Sequence, residues 1–482
     1  MSNKLVVKLF LTLLICTALW LPPYNGGALA QEPTPQPVAE GAVYIVQPGD
    51  SLWSIALRFR VSIQALTEAN GISNANQLNV GDRLVIPGLE GIRGTLTTQI
   101  VPFGETLRSL SRRYHTPIET LIQLNHLTSP GELYAGVNLV IVEGEIPTAP
   151  GHRRTLAPGQ SLLELAIQDG VSPWMYLLNN NLKSAAAAAP GDVLLLPQGE
   201  PSAEAEGSPA AMPDAIQKVQ LTPLPLVQGK AVVIEISGEK GLQLGGSLNE
   251  RPLNFFFDAE TGSYVSLQGM HAMAEPGLYP LVISATLPGG AQFAFSQSVF
   301  VEAGDYVYDP VLTVSPETID PAVTRPEDAQ WAALTAPVTP QKLWQGVFQS
   351  PAPPPYSDCW PSRFGSRRSY NGSAYIYFHT GLDFCGGVGT DILAPAAGRV
   401  VFAGPLTVRG NATVIDHGWG VYTGYLHQSE ILVQVGDVVQ PGQVIGKVGG
   451  TGRVTGPHLH WEVWVGGVQV DPMDWLLQPY PR

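Results

Sequence analysis

Three side chains near the carboxyl-terminal end of the chain have the residue types and spacing of a metal site. His379 and Asp383 lie four residues apart in the stretch Phe378 to Asp383, and His460 lies in the distant stretch Gly456 to Glu462. Two imidazoles and one carboxylate form a three-ligand set that leaves the fourth position on zinc open for water. Because an open position permits hydrolytic chemistry, the pattern predicts a Zn²⁺ site.

Two further histidines complete a candidate reaction centre. Neither half of the metal set is specific alone, because His-x3-Asp occurs by chance and His-x-His on a strand is usually a packed or solvated pair. If Leu459 lies within a strand, the period of two places His458 and His460 on one face. One of them then binds the metal while the other stands beside the metal-bound water. His427, in Tyr-Leu-His, offers a second unligated imidazole, and the structural alternative is five buried residues without chemistry.

The same residues resemble the lysostaphin or LytM type of zinc metallopeptidases. The resemblance extends from about Arg363 to Trp475 and follows a fixed order of motifs. In chain order the matched motifs are Arg363 to Gly365, His379 to Asp383, Gly389 to Gly398, Gly410 to Gly418, Tyr425 to His427, Gly436 to Gln443 and Gly456 to His460. The resemblance implies a fold of antiparallel β-strands and peptide-bond hydrolysis.

The resemblance also implies a role for each of the five residues. It assigns zinc binding to His379, Asp383 and His460, and catalysis to His427 and His458. Zinc polarises a scissile carbonyl and lowers the pKa of bound water from about 15.7 toward roughly 7. Two imidazoles beside it can move the proton to the leaving amine and hydrogen-bond the oxyanion. No metal-binding or catalytic position is missing, in contrast to degenerate members of the family that only activate other hydrolases.

Length and composition favour several domains and exclude one class of partner. A chain of 482 residues exceeds the size at which one core stops growing, and its 43 Pro and 52 Gly are typical of turn-rich β modules joined by linkers. Charged residues make up 14% of the chain and the net charge is −14. Because a nucleic-acid partner requires a basic face, this composition argues against one. Recognition of an envelope polymer must depend on shape, hydrogen bonds and aromatic side chains.

The first 30 residues have the pattern of a secretory signal peptide. Lys4 and Lys8 precede an apolar run from Leu9 to Leu21, and Ala28-Leu29-Ala30 is a small-x-small cleavage sequence. The mature chain is expected to begin at Gln31 and to act outside the cytoplasm, secreted or associated with the cell wall, with membrane contact only through the signal segment. An uncleaved anchor is the alternative, and a lipoprotein at Cys16 is less favoured because bulky Ile15 precedes it.

Two cysteines remain after the signal segment. Outside the cytoplasm Cys359 and Cys385 are permitted to form a disulfide near Asp383, and two free packed thiols are the equal alternative. Cys385 as a zinc ligand is disfavoured because the three-ligand set is already complete.

The amino-terminal part contains an internal repeat with a period of 55 residues. The period appears in Gly49, Gly104 and Gly159, and a closing asparagine follows the same step. Each unit predicts the order strand, helix, helix, strand. With Pro-Gly-Asp-Ser-Leu in the first copy, the unit resembles the LysM module, which implies binding of N-acetylglucosamine-containing glycans such as peptidoglycan.

The three copies differ in how closely they follow that pattern. Residues 43–88 are a full match, whereas 98–143 and 153–198 are degenerate. Phe103 replaces the Pro, Glu105 and Gln160 replace the Asp, and residues 185–189 are all Ala. These changes preserve the apolar positions that determine the fold, so glycan binding is expected for the first copy, and glycan binding or a spacer role for the others.

Four further segments follow the repeats. Residues 199–217 predict a flexible acidic linker, and short alternating runs over 218–306 predict an immunoglobulin-like β-sandwich without chemistry of its own. Residues 307–356 form a Pro-rich connector with a helical stretch over 326–334, and Trp344 and Phe348 can fix it to a neighbouring domain. Residues 357–482 then form the metallopeptidase domain. The fold class is therefore multidomain, α+β and all-β. Four aromatic residues of this last domain are read as core side chains in preference to groove walls: Trp419, Tyr422, Trp461 and Trp464.

Together these patterns predict a secreted zinc endopeptidase that cuts the peptide portion of peptidoglycan while its repeats bind the glycan. The alternative is a noncatalytic or autoinhibited envelope scaffold or amidase activator, for instance with residues 370–377 blocking the groove. The intact five-residue set favours the enzyme.

Overall fold

The fold is described from a computed structural model of the chain. It describes residues 41–74, 78–89, 91–143, 152–156, 159–189, 191–196, 209–288 and 290–481. The predicted signal segment at 1–30 and the first part of the predicted linker, 199–208, lie outside these residues. Across the described ranges, no helix combines the length and the apolar character needed to span a membrane.

Each amino-terminal repeat folds as strand, helix, helix, strand. The first contains β1 (Ala42–Ile45), α1 (Leu52–Arg58), α2 (Ile63–Asn70) and β2 (Arg83–Val85). The second contains β3 (Gly94–Ile100), α3 (Leu107–Arg113), α4 (Ile118–Asn125) and β4 (Asn138–Glu143). The third contains β5 (His152–Thr155), α5 (Leu162–Gln168), α6 (Pro173–Asn179) and β6 (Val193–Leu196).

One asparagine closes each repeat and gives a physical reason for its recurrence in the sequence. The Asn70 side-chain amide donates to the Val85 carbonyl at 2.8 Å, and its oxygen accepts the Val85 N–H at 2.6 Å. Asn125 and Asn180 make the same two bonds to the residue 15 positions later. Because each side chain satisfies two backbone groups of the last strand, it joins the second helix to that strand.

The first two repeats share one sheet, which their spacing does not predict. Strand β1 pairs antiparallel with β2 and parallel with β3, so the strand order is β2-β1-β3-β4. In the third repeat, β5 and β6 form a separate two-stranded sheet. The first two repeats are therefore joined through backbone hydrogen bonds.

The turn that opens the second repeat is buried against the next domain. Phe103 is 1% exposed and packs edge-on against Phe295, with ring centroids 5.4 Å apart. The Gly104 N–H donates to the Gln297 side-chain oxygen at 3.0 Å. The matching residue of the first repeat, Gly49, is exposed. The two turns therefore have the same position in the repeat but different environments.

The following domain consists of two facing sheets. Its strands are β7 (Ile216–Thr222), β8 (Leu226–Val227), β9 (Ala231–Gly238), β10 (Gln243–Leu248), β11 (Arg251–Pro252), β12 (Phe256–Asp258), β13 (Ser263–Gly269), β14 (Gly277–Thr286) and β15 (Gln292–Glu302). One sheet has the order β11-β10-β14-β15-β8 and the other β12-β13-β9-β7. Ile234 from one sheet and Ile283 from the other are fully buried in one hydrophobic cluster. The immunoglobulin-like assignment stays a prediction.

The end of the predicted linker is packed and does not fit the expectation of a flexible segment. Ala210 and Met212 are buried, and β7 already begins at Ile216. Met212 belongs to the same cluster as Phe103 and Ile234. The apolar side chains within this acidic stretch explain the difference, because they fill the space between the second repeat and the sandwich.

The connector contains a longer helix than the sequence predicts. Helix α7 (Pro321–Thr335) begins before the expected range of 326–334. Asp320 caps it by accepting the Ala322 N–H at 2.8 Å, and proline is well tolerated at the first helical position. Trp344 and Phe348 lie in the core of the carboxyl-terminal domain, 1% and 3% exposed, as the prediction requires.

The carboxyl-terminal domain is built mainly of antiparallel strands. They are β16 (Arg367–Arg368), β17 (Tyr377–Phe378), β18 (Leu382–Phe384), β19 (Asp391–Leu393), β20 (Gly398–Leu406), β21 (Gly410–Gly418), β22 (Val421–Gln428), β23 (Glu430–Ile431), β24 (Val438–Val439), β25 (Val444–Lys447), β26 (Leu459–Val465) and β27 (Val468–Val470), followed by α8 (Pro472–Leu477). The main sheet has the order β18-β26-β22-β21-β20-β24, with β27 paired to β26. A disulfide links Cys359 and Cys385, which decides between the two alternatives for these cysteines.

Candidate active site

Neighbouring strands bring the three predicted ligands together. Strand β26 lies between β18 and β22, and the register of β18 and β26 places Asp383 opposite His460. His379 lies in the turn between β17 and β18. Its Nε2 is 2.9 Å from Asp383 Oδ1 and 3.0 Å from His460 Nδ1, and the last two atoms are 2.8 Å apart. The sequence pattern therefore identified residues that the fold places in contact.

The two histidines of this set are held by their other ring nitrogens. His379 Nδ1 is 2.8 Å from the Arg363 carbonyl oxygen, which can only accept a hydrogen bond. His460 Nε2 is 3.3 Å from Glu462 Oε1. Each of these nitrogens therefore donates its proton outward, and the lone pairs of His379 Nε2 and His460 Nδ1 face Asp383. This orientation by an outer acceptor is typical of metal-binding histidines.

The three facing atoms require positive charge between them. Two nitrogen lone pairs and a carboxylate oxygen within 3.0 Å of one another repel unless a proton or a cation lies among them. All three residues are buried, so water screens this repulsion poorly. Two imidazole nitrogens and one carboxylate oxygen are a ligand set that Zn²⁺ binds in catalytic sites. The residues present therefore fit zinc.

The pKa directions describe how the ligands are charged when no metal is bound. Burial opposes ionisation of Asp383, but charges and hydrogen bonds from His379 and His460 hold its pKa well below the ordinary value. Burial lowers the pKa of His379 to about 4, so the metal-free ring is neutral near pH 7. Burial also opposes a charge on His460, but when no metal is bound a proton on Nδ1 can be shared with Asp383, and this hydrogen bond and the one to Glu462 raise the pKa of His460.

His427 and His458 stand beside this set, and like His379 each has its Nδ1 held by a backbone carbonyl oxygen. His427 Nδ1 is 2.8 Å from the Thr451 carbonyl oxygen, and His458 Nδ1 is 2.8 Å from the Gly456 carbonyl oxygen. Because a carbonyl only accepts, Nδ1 donates in both rings and Nε2 carries the lone pair. The two ring centroids are 5.2 Å apart. Burial, with His460 and His458 nearby, holds the pKa of His427 well below the ordinary value, so this imidazole is neutral.

Glu462 supports the site, and sequence reasoning gave it no role. Its carboxylate is 1% exposed and accepts from the Trp331 and Trp464 indoles and the Gln469 amide, in addition to His460. Burial opposes its ionisation, but the hydrogen bond from His460 contributes most to lowering its pKa to about 2. The spacing His-x-Glu on a strand was the available signal, because residues two apart share a face.

A cavity of about 900 Å³ opens over four of the five residues. His427, His458 and His460 line it together with Asp383. Its walls include further residues of the carboxyl-terminal domain, among them 453–457, and residues from the rest of the chain. The sandwich contributes His271 and Met273, the connector contributes residues from Asp309 to Asp328, and residues 370–377 contribute Tyr370, Ile376 and Tyr377. His271 of the sandwich therefore lies at the groove.

The four aromatic residues predicted to be core side chains are all buried, and one of them also lines the cavity. Trp461, Tyr422 and Trp419 are buried at 0%, 1% and 6% exposure. Trp464 is also buried, but its side chain lines the cavity. Trp464 is therefore both a core residue and a groove residue, since it packs in a buried cluster and also lines the cavity.

Family models match two parts of the chain. Residues 377–472 match Peptidase family M23, and residues 44–87 and 100–142 match the LysM domain. The M23 match contains His379, Asp383, His427, His458 and His460. The donor set and this match together indicate zinc as the metal.

Named relatives match the same carboxyl-terminal segment. Peptidoglycan DD-endopeptidase ShyA of Vibrio cholerae is 44% identical over 112 residues, which are 23% of this chain and 26% of that protein. DD-carboxypeptidase/endopeptidase Mpg of Neisseria meningitidis is 45% identical over 104 residues, 22% of this chain and 24% of that protein. A solved structure of the antimicrobial peptidase lysostaphin from Staphylococcus simulans is 37% identical, with 20% of this chain and 44% of that chain covered and a TM-score of 0.20.

The likeness to the curated relatives is confined to one segment, since the match spans about a quarter of their length. Within that segment the motif order, the geometry of the five residues and the family model agree. The chain therefore carries an M23 peptidase domain behind LysM domains, which confirms the resemblance predicted from its motifs.

Proposed function

We propose that the protein is an exported zinc endopeptidase that hydrolyses peptide bonds in the stems or cross-bridges of peptidoglycan. One observation carries the proposal: the lone pairs of His379 and His460 converge with Asp383 within 3.0 Å, while buried acceptors fix both outer nitrogens. The M23 match over residues 377–472 supports the reaction class. The predicted signal segment at 1–30 supports export.

The residues of the chain divide the work of hydrolysis between them. His379, Asp383 and His460 would hold the metal. When bound, zinc supplies Lewis-acid chemistry that polarises a scissile carbonyl and makes water acidic enough to attack near neutral pH. His427 and His458 each offer Nε2 beside the cavity. Each can accept a proton there and, once protonated, can donate to the leaving amine or to the developing oxyanion.

The cavity has the form expected for a peptide substrate. It is about 900 Å³, within the range of ordinary ligand clefts, and it has both apolar and charged walls. Tyr370, Ile376 and Tyr377 form part of the wall over residues 370–377, the segment that the sequence offers as an occluding element. We infer that this segment contacts substrate. The names of the relatives favour a D,D-bond as the bond that is cut.

We infer that the LysM repeats hold the enzyme on the glycan. Tethering raises the local concentration of peptide substrate without any new contact at the active site. The first repeat has an exposed opening turn and an exposed Trp53, whereas Phe103 and Glu105 of the second are 1% exposed. The first repeat is therefore the proposed glycan site, and the second has the spacer role.

Digestion of purified peptidoglycan tests the proposal. The zinc-loaded chain is incubated with it, and the released fragments are analysed by mass spectrometry. New peptide termini that disappear after chelation, with glycan bonds intact, are the expected result. Binding without new termini in the zinc-loaded state would contradict it and favour the noncatalytic scaffold.

A further inference from the structure

A residue of the connector, Trp331, donates a hydrogen bond to Glu462, the residue that orients His460. Helix α7 precedes residues 377–472, the segment that matches the peptidase family. Trp331 Nε1 on this helix donates to Glu462 Oε2 at 3.1 Å, across 131 residues of sequence. Glu462 Oε1 in turn accepts from His460 Nε2 at 3.3 Å. Two hydrogen bonds therefore connect the connector helix to a predicted zinc ligand.

The donors around Glu462 determine how its carboxylate is oriented. Oε2 accepts from Trp331 and from Trp464, the latter at 2.8 Å, and Oε1 accepts from Gln469 at 2.9 Å and from His460. A carboxylate that is 1% exposed depends on such donors because water does not reach it. Loss of one donor frees the group to turn toward the others. The hydrogen bond that orients His460 then changes as well.

The Trp331 indole is held in one position. It is 1% exposed and belongs to a buried cluster with Tyr422 and Leu426. The Arg409 guanidinium lies 4.8 Å from its ring centroid, and the same guanidinium donates to Glu327, also on α7, at 3.0 Å. Because the ring is buried in this cluster and contacts the Arg409 guanidinium, its N–H has a fixed direction toward Glu462.

The same helix also reaches the loop that supports His427. Glu327 accepts the backbone N–H groups of Val408 at 2.8 Å and Arg409 at 2.9 Å. The Arg409 carbonyl accepts the His427 N–H at 3.0 Å. Helix α7 thus contacts supports of both parts of the site.

We propose that Trp331 is a positioning residue of the metal centre, through which the connector fixes Glu462 and thereby the ring orientation of His460. Removal of the indole N–H weakens zinc binding. The proposal rests on the zinc centre of the proposed function and is independent of its substrate.

A pair of matched substitutions tests it in the full chain. Trp331→Phe removes the N–H at Glu462. Trp344→Phe is the control, because Trp344 also lies on the connector, is also 1% exposed and also donates one hydrogen bond, to the Tyr480 carbonyl at 2.9 Å. Zinc affinity is measured by competition with a chromophoric chelator, and the visible spectrum is recorded after cobalt loading. Trp331→Phe is expected to bind zinc about 10-fold more weakly than the control and the wild type, as is usual for groups that orient a metal ligand.

The cobalt spectrum is expected to change in Trp331→Phe alone. Equal zinc affinities and identical spectra in the two variants would overturn the proposal. If the wild type cleaves peptidoglycan with zinc and both variants equal it in zinc affinity and cobalt spectrum, the proposed function is supported and only this inference is contradicted. A wild-type chain that binds no zinc would remove both.

A measurement on the unmodified chain covers the case in which Trp331→Phe fails to fold. By thermodynamic linkage, a contact that strengthens zinc binding is itself strengthened by zinc. Indole N–H resonances of the labelled protein are followed before and after zinc addition. Solvent exchange of the Trp331 N–H is expected to slow several-fold while that of Trp344 is unchanged, and an unchanged Trp331 would contradict the proposal.

Discussion

The candidate active site has two halves, and each contains two histidines. The two pairs differ in what their free ring nitrogens face. In the ligand half, His379 and His460 face Asp383 with their lone pairs, and acceptors on the far side hold their remaining nitrogens. In the histidine half, carbonyl oxygens hold Nδ1 of His427 and His458, and Nε2 of each ring carries the lone pair beside the cavity. We therefore propose that the four imidazoles divide into two that bind the metal and two that transfer protons.

The outer hydrogen bond fixes which nitrogen is free, and the two halves differ in how close that free nitrogen lies to Asp383. In both halves a buried acceptor selects the tautomer, and the selected tautomer decides which nitrogen is free. In the ligand half the free nitrogens meet a carboxylate, so the group attracts a cation. In the histidine half the His458 Nε2 lies farther from that carboxylate, 3.5 Å from Asp383 Oδ1, and both rings line the cavity, where we propose that they transfer protons. Substitutions in the ligand half should therefore remove zinc and activity together, whereas substitutions in the histidine half should remove activity and leave zinc bound.

The largest effect is expected from removal of a ligand. His379→Ala should lose both zinc and peptidoglycan hydrolysis, because two donors cannot replace the three-ligand set. Zinc content after dialysis and fragment release from peptidoglycan provide the measurements. His417→Gln is the control: His417 is also fully buried, but it bonds to the Ala397 carbonyl and Thr423 outside the site. Retention of zinc by His379→Ala would contradict the division into halves.

A smaller effect that leaves zinc in place is expected in the histidine half. His427→Ala should keep one zinc per chain and lose activity by about 10²- to 10⁴-fold, the usual contribution of a general acid or base. Zinc affinity and the initial rate of peptidoglycan cleavage are compared with the wild type. Loss of zinc in step with activity would show that His427 belongs to the ligand half.

His417, a buried histidine outside both halves, shows how burial changes the pKa of an imidazole. Burial lowers the pKa of His417 to about 4, whereas the ordinary value is 6.5. The unfolded chain therefore binds more protons between about pH 6.5 and pH 4, and the free energy of unfolding falls as the pH decreases through this window. About 2.5 pH units correspond to on the order of 3 kcal/mol.

Urea unfolding of the metal-free protein at pH 7 and pH 4.5, followed by tryptophan fluorescence, measures this loss. The loss should be smaller in His417→Gln, which has no imidazole to protonate. An equal loss in the variant and the wild type would show that other groups determine the acid sensitivity.

The smallest effect is expected in the repeats. Here an exposed tryptophan of the first repeat is compared with one of the third. Trp53 in the first repeat and Trp174 in the third are 65% and 71% exposed. Trp53→Ala should weaken binding to purified peptidoglycan by about threefold to tenfold, about 1 kcal/mol, because an exposed aromatic side chain in a glycan module contributes contact area. The matched variant Trp174→Ala should change binding less. A larger effect from Trp174→Ala would transfer the glycan site to the third repeat.

The sequence predicts the five site residues but not what orients them. Motif order and residue type selected His379, Asp383 and His460, which the fold brings together, because a metal restricts which side chains can bind it. The Trp331 hydrogen bond to Glu462 spans 131 residues and depends on how the connector packs, which no local pattern records. The outer acceptors of His379 and His427 are backbone carbonyls, which every residue has, so their choice is visible only in the fold.

The repeats show the same limit on a larger scale. The step of 55 residues located Asn70 and its two counterparts, because each makes the same local bonds. The parallel pairing of β1 with β3 and the burial of Phe103 against Phe295 are tertiary contacts between units. The periodicity could not distinguish a repeat that faces solvent from one that packs on a neighbour.

Zinc titration of the metal-free enzyme tests the central claim most directly. Zinc is added stepwise to the dialysed chain, and new peptide termini in peptidoglycan are counted at each step. Cleavage should rise in proportion to zinc, reach its maximum at one zinc per chain, and stay absent in His379→Ala at every step. Cleavage that does not depend on zinc, or full occupancy without new termini, would contradict the account.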